Sequence, residues 1–234
     1  MKGSEEKRIR EVYEGRRTRD SGSTYTWLNP ATAFHLQRQE QAVLKLFRDH
    51  GIGSFQWLEI LEVGCGGGSE LRNFIKYGAA PSSIHGIDIM EERIEQGRAL
   101  SPNIDLRQGS AERLPYADSS FDLVCQFVMF TSILDPAVRK RVASEMIRVL
   151  RPSGLIVWYD YFISSPANRD VRGVRRREIL DLFPGCEIDL RKVTLAPPLA
   201  RLVAPRSQVA AMLLEKLPFL RSHYLCAISK TRLP

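Results

Sequence analysis

Residues 61 to 70 read LEVGCGGGSE, with glycines at 64 and at 66 to 68 between an apolar run and a helix-like segment. A glycine-rich turn from strand to helix brings backbone close to a ligand, and it serves a dinucleotide, a nucleoside triphosphate or a nucleoside sulfonium. The triphosphate loop fails, because no Gly-Lys-Ser/Thr follows. Gly64-Cys65-Gly66 supplies the first half of a dinucleotide fingerprint, but Ser69 stands where its third glycine belongs. Glu62, two residues before the first glycine, is a poor neighbour for pyrophosphate. It suits a ligand carrying ammonium and sulfonium charges. Asp88 ends the next strand pattern ~20 residues after the loop, where an acid accepts both hydroxyls of a ribose.

These residues need a frame that holds a loop and a second strand end together. A charged helix is expected over 4 to 17, and a second one opens at Asn29-Pro30 and runs to about His50. Strand and helix patterns then alternate: strands at 55–63, 83–89, 103–109, 121–128 and 155–162, helices at 69–77, 90–100 and 136–150. Such alternation implies a parallel sheet with helices on both faces, a doubly wound α/β fold. The tail reads helix 175–183, strand 186–195, an interruption at 196–220 with a helix near 207–217, and a last strand at 223–229. The expected organisation is an N-terminal helical cap over 1–53 and one ligand-binding domain over 54–234 carrying the 196–220 insertion. The cap and the insertion are expected to cover opposite sides of the site.

Four stretches in order, LEVGCGGG, GIDIM, GSAERLPYADSSFDLV and RVLRPSGLIVWYD, span residues 57 to 161. Together they resemble the class I S-adenosylmethionine-dependent methyltransferases, specifically the ubiquinone-biosynthesis-like (methyltransferase type 11) group. The resemblance implies a Rossmann-like seven-stranded sheet of order 3-2-1-4-5-7-6 with the last strand antiparallel, and S-adenosylmethionine as cofactor. It implies that Glu62 and the backbone of Gly64 and Gly66, with Cys65 between them, hold the methionine end. Asp88 then binds the ribose and Ile89 packs on the adenine. Ser110, Ala111 and Glu112 line the adenine edge, and Gln126 offers its carbonyl to the cofactor ammonium.

Methyl transfer is a displacement at a carbon already activated, so the protein must align the nucleophile and exclude water. A hydroxyl acceptor also has to lose a proton. Where small-molecule relatives often carry a His-His pair, this chain has Thr131-Ser132. Asp160 at the end of the fifth strand and His35 on the second helix are the candidates for a base; Tyr13 and Tyr25 are candidates to join His35, with Tyr25 also taken as a substrate-binding residue. Arg169 and Arg172, in the run NRDVRGVRRRE, suit a carboxylate or phosphate on that acceptor. The expected reaction is O-methylation of a small molecule or glycan; the tail is fainter in its resemblance to methyltransferases of bacterial surface-polysaccharide synthesis. C-methylation, RNA methylation, an oxidoreductase using a nicotinamide and a non-catalytic cofactor-binding protein are the alternatives. Neither the Asn/Asp-Pro-Pro-aromatic motif of base-amine methylation nor a Pro-Cys nucleophile follows the fourth strand, which makes nucleic acid an unfavoured partner.

Charge and cysteine usage set the surroundings. Residues 161–234 hold 13 Lys and Arg against 6 Asp and Glu, whereas the first 160 hold 21 of each, so the whole net charge of +7 lies in the last third. That excess, together with VAAMLLEKLPFL flanked by Arg201, Arg206 and Arg221, allows peripheral membrane contact. Cys65, Cys125, Cys186 and Cys226 are far apart in sequence and are expected as reduced thiols, without a metal. The N-terminal MKGSEEKRIREVYEGRR is too charged for a signal-peptide core, and a cytoplasmic location is expected.

Overall fold

The computed structural model describes residues 4–17, 26–165 and 168–231. Its centre is a seven-stranded sheet of β1 (Ile60–Val63), β2 (Ile84–Asp88), β3 (Asp105–Gln108), β4 (Phe121–Phe127), β5 (Leu150–Tyr161), β6 (Cys186–Leu195) and β7 (Arg221–Lys230) in the order β3-β2-β1-β4-β5-β7-β6. The pairs among β1 to β5 are parallel, and β7 runs antiparallel to both β5 and β6. The strand order is therefore the one the family resemblance implies.

Apolar strands with both faces buried separate two cores. Leu61, Val63, Val124, Ile156 and Trp158 face one side with α5 (Pro136–Val149) and α6 (Arg176–Leu182). Ile60, Leu123, Cys125, Val157 and Tyr159 face the other with α3 (Ser69–Lys76) and α2 (Pro30–Asp49). The α4 helix (Glu91–Leu100) follows β2 and packs on β2 and β3.

Helix starts follow the capping signals. Asn29 and Asp135 each accept from the first-turn amides and are each followed by proline, whose missing N–H costs nothing there. Differences from the expected elements have physical causes. Residues 55–59 lie outside the strand, with a turn at 56–57; Phe55 is buried instead by edge contacts with Phe47 and Phe74. The interruption holds two helices, α7 (Pro197–Val203) and α8 (Gln208–Glu215). Pro197 and Pro198 open the first of these, where proline is tolerated.

The N-terminal helices separate. The α1 helix (Ser4–Arg17) reaches the loop after β4: Arg8 donates to the Ser132 carbonyl at 2.6 Å, and the Leu134 amide donates to Glu5 at 2.5 Å. The α2 helix packs instead on the insertion, where Ala31 and Phe34 meet Leu195, Ala200, Ala204 and Ala211. The cap and the insertion thus do not stand on opposite sides: α2 and the insertion form one layer, and among the described residues of the cap and the insertion only α1 lines the pocket. Among the described residues no helix is long and apolar enough to cross a membrane.

Candidate active site

The loop after β1 is bound to the end of β2 by backbone. Gly64 and Cys65 both donate to the Ile87 carbonyl, at 2.8 and 3.1 Å. Gly64 lies at φ +75°, a region open to glycine, and a Cβ there would sit 2.6 Å from the Met129 side chain. Asp88 ties the two loops. Its Oδ2 accepts from the Gly66 amide and its Oδ1 from the Met90 amide, each at 2.8 Å. Each oxygen keeps a lone pair for a further donor.

Beside this junction lies a pocket of about 300 Å³. Gly64, Asp88, Ile89, Ser110, Ala111 and Glu112 line one part of it, and Glu6, Ile9, Tyr13, Phe127, Met129 and Ser132 line the rest. The Tyr13 hydroxyl lies 3.0 Å from the Ser132 hydroxyl, and the Arg93 guanidinium sits 4.6 Å over the Tyr13 ring. An open groove of about 1220 Å³ between α2 and the β6–β7 pair is larger, but it contains none of the residues at the β1 and β2 ends.

Glu62 is buried at the end of β1, and its Oε2 has no hydrogen-bond partner. Burial pushes its carboxyl well above the usual carboxylate range, and repulsion from Glu70 and Asp88 adds to the effect. A buried, unpartnered carboxylate oxygen is expensive unless a ligand completes it. The site therefore fits a cofactor that brings positive charge to the glycine loop and ribose hydroxyls to Asp88.

Other expected residues take different places. Cys65 turns its thiol into the core, where burial raises its pKa, and it serves the loop through its backbone. Glu112 lines the pocket, but its carboxylate pairs with Arg141. Gln126 is fully buried within β4; its amide donates to the Tyr159 carbonyl at 3.3 Å and accepts from the Met129 amide at 3.0 Å, which holds the turn behind the pocket.

Neither candidate base lines the pocket. Asp160 is wholly buried and accepts from the amides of Thr131 and Tyr161, at 3.1 and 2.8 Å. Desolvation raises its pKa to about 6. His35 lies 3.2 Å from the Tyr159 hydroxyl and continues into a buried chain through Thr194 to His223. Desolvation lowers its pKa to about 4, with the charge of Arg201 adding to the effect. The arginine reading fails on the same ground. Arg172 pairs with Glu178 at 2.8 Å, Arg169 is exposed, and neither reaches the pocket. Tyr25 lies outside the described residues.

Glu6, Ile9 and Met129 were not legible as site residues. The Ile9 and Tyr13 pair, four apart on an otherwise charged helix, is the signal that α1 has one face to bury.

A family model for a methyltransferase domain matches residues 60–154. A probable S-adenosylmethionine-dependent methyltransferase of Mycolicibacterium smegmatis is 31% identical over 58% of this chain and 48% of its own length. A sterol 24-C-methyltransferase of Gibberella zeae is 30% identical over 54% of this chain and 34% of its own length. The chain thus spans between a third and a half of the length of these curated relatives. The crystal structure of a Pyrococcus horikoshii protein matches the fold with a TM-score of 0.60 at 18% identity, covering 84% of this chain and 91% of that one. The matched segment runs from β1 into β5 and contributes Glu62, Gly64 and Asp88 at its strand ends, so residues 60–154 match a methyltransferase domain and the chain is similar there to S-adenosylmethionine-dependent methyltransferases.

Proposed function

We propose that this protein transfers a methyl group from S-adenosylmethionine to a hydroxyl of a small, largely apolar acceptor. One observation carries the reading: Asp88, Ile89, Ser110 and Ala111 share a pocket with Gly64, two residues along the chain from the buried Glu62, whose Oε2 has no partner and which does not itself line the pocket. When bound there, the cofactor supplies a methyl carbon activated by its sulfonium. Asp88 accepts the ribose hydroxyls while staying bound to the loop amides. Glu62 offsets the positive charge, and Ile89 packs on the base.

The acceptor reading rests on the rest of the lining. Ile9, Phe127, Val128, Met129, Ile133 and Val142 make that wall apolar, which favours an acceptor with a hydrocarbon body over a sugar phosphate. Glu6 is the lining carboxylate that neither pairs with Arg141, as Glu112 does, nor ties the loops, as Asp88 does. It is the residue we assign to take the acceptor's proton, with Tyr13 and Ser132 orienting the hydroxyl. Methylation at carbon is the second reading, favoured by the sterol relative's named reaction.

The test begins with calorimetric titration by S-adenosylmethionine and S-adenosylhomocysteine, with Asp88→Ala as control. Turnover of hydroxylated apolar acceptors, followed by mass and NMR of the product, then separates oxygen from carbon as the methylated atom. Wild type that binds neither nucleoside would overturn the proposal. Glu6→Gln is expected to lower kcat at least tenfold with cofactor affinity unchanged.

A further inference from the structure

The insertion between β6 and β7 exposes much of its apolar surface. In α8, Ala211 and Glu215 face inward, whereas Val209 (68% exposed), Met212 and Leu213 (57%) face water at spacings i, i+3 and i+4. A helix packed on a core normally buries its large apolar side chains and exposes its acids. Leu202 on α7, then Leu217 and Phe219 (75% exposed) after α8, extend the exposed apolar set. Half of the large exposed hydrophobics among the described residues lie between 202 and 219.

Charge in the same segment has one sign. Arg201, Arg206 and Lys216 are exposed, and Arg221 donates to the backbone carbonyls of Glu215, Lys192 and Lys216, so that its charge is not neutralised there. The single carboxylate of residues 196–221, Glu215, is buried and paired with Arg38. The segment exposes no carboxylate at all. Water is a poor medium for so much apolar surface, and a second copy of the chain is a poor cover for it. A twofold contact would set the same arginines and lysine against each other with no acid to pair them.

We infer that this insertion docks on an anionic bilayer, with Val209, Leu213, Leu217 and Phe219 entering the headgroup boundary and Arg201, Arg206, Lys216 and Arg221 meeting lipid phosphates. The docked surface is linked to the site through packed side chains. Phe34 packs among Ala200, Ala204 and Ala211 of the insertion, and its neighbour His35 lies 3.2 Å from the Tyr159 hydroxyl. The Tyr159 ring is 6.3 Å from that of Phe127, which lines the pocket. The docking itself requires no methyl transfer and is read without it.

The experiment is co-sedimentation of the full chain with vesicles of phosphatidylcholine alone and of phosphatidylcholine mixed with phosphatidylglycerol. Binding is expected only to the mixed vesicles and is expected to weaken with added salt. The double variant Leu213→Glu, Phe219→Glu should lose it, with an unchanged unfolding temperature, since both side chains are exposed. Replacing Arg206 and Lys216 with Gln should weaken it about fivefold per charge removed. Absence of binding to mixed vesicles would overturn the inference, as would equal binding by the Glu double variant. So would a wild-type dimer that Leu213→Glu converts to monomer without any vesicle binding, which would assign the face to a second copy.

Discussion

The Asp88 carboxylate accepts the Gly66 amide at 2.8 Å, and through its other oxygen it holds Met90, so one side chain both closes the glycine loop and faces the pocket. These two duties can be separated by substitution. Asp88→Ala leaves two loop amides without their acceptor and is expected to cost about 2 kcal/mol of stability, with nucleoside binding lost. Asp88→Asn keeps one acceptor oxygen and replaces the other with a donor. Its stability should fall less, while affinity for S-adenosylmethionine falls at least tenfold. Chemical denaturation and calorimetry on the same samples check both. Equal affinity of Asp88→Asn and wild type would remove Asp88 from the cofactor site.

Glu62 shows the opposite balance between stability and binding. Its Oε2 is buried without a partner, and burial holds its carboxyl well above the usual range, so the ligand-free protein carries a cost there. Glu62→Gln removes the capacity to carry a negative charge and keeps the shape. It should leave the unfolding temperature equal to or above that of wild type while weakening S-adenosylmethionine binding about tenfold, or ~1.4 kcal/mol. Paired thermal scans with and without the nucleoside measure both effects. A variant less stable and no weaker in binding would mean that Glu62 is only a structural acid.

At Gly64, φ of +75° and the Met129 side chain oppose any Cβ. Gly64→Ala is expected to cost about 2–4 kcal/mol, combining backbone strain with overlap. In a double-mutant cycle with Met129→Ala, the overlap part should be relieved and the strain part retained. The two losses should therefore fall short of additivity by ~1 kcal/mol or more. Denaturant midpoints of the four proteins give the coupling.

Much of the frame was legible in the sequence because it depends on local pattern. Alternating strands and helices, Asn29-Pro30 and the glycine loop each announce themselves within a few residues. The roles of Asp160 and His35 were not legible, because both sit at strand and helix positions consistent with a base. Only the tertiary structure shows that Asp160 is occupied by the amides of Thr131 and Tyr161. The arginine run misled for a related reason. Five arginines in sequence suggest an anion, yet Glu178 a few residues on already pairs with Arg172 and with the wholly buried Arg139. The α7 helix was hidden by Pro197 and Pro198, which read as interruption until their place in its first turn is seen. The strand order came from family resemblance, since alternation alone does not order strands.

Asp160 and His35 should leave opposite marks on the dependence of stability on pH. The folded-state pKa of Asp160 is raised from 3.8 to about 6, so between those values the folded state holds more protons than the unfolded one. Its contribution to stability is present at low pH and is lost as pH rises through about 6. The folded-state pKa of His35 is lowered from 6.5 to about 4, so over that window the unfolded state holds the extra proton. Its contribution is present above pH 6.5 and is lost as pH falls through about 4. The windows overlap and the signs differ, so in wild type the two partly cancel. Asp160→Asn should therefore make stability rise more steeply with pH between about 4 and 6, even as losing one amide acceptor lowers it overall. His35→Gln should make stability fall with pH across the same window relative to wild type. Urea unfolding at intervals from pH 4 to 7 reads each slope as a difference from wild type. If both variants parallel the wild-type curve, neither group is titrating from the buried position described, and the assignment of Asp160 as a buried amide acceptor would have to be given up.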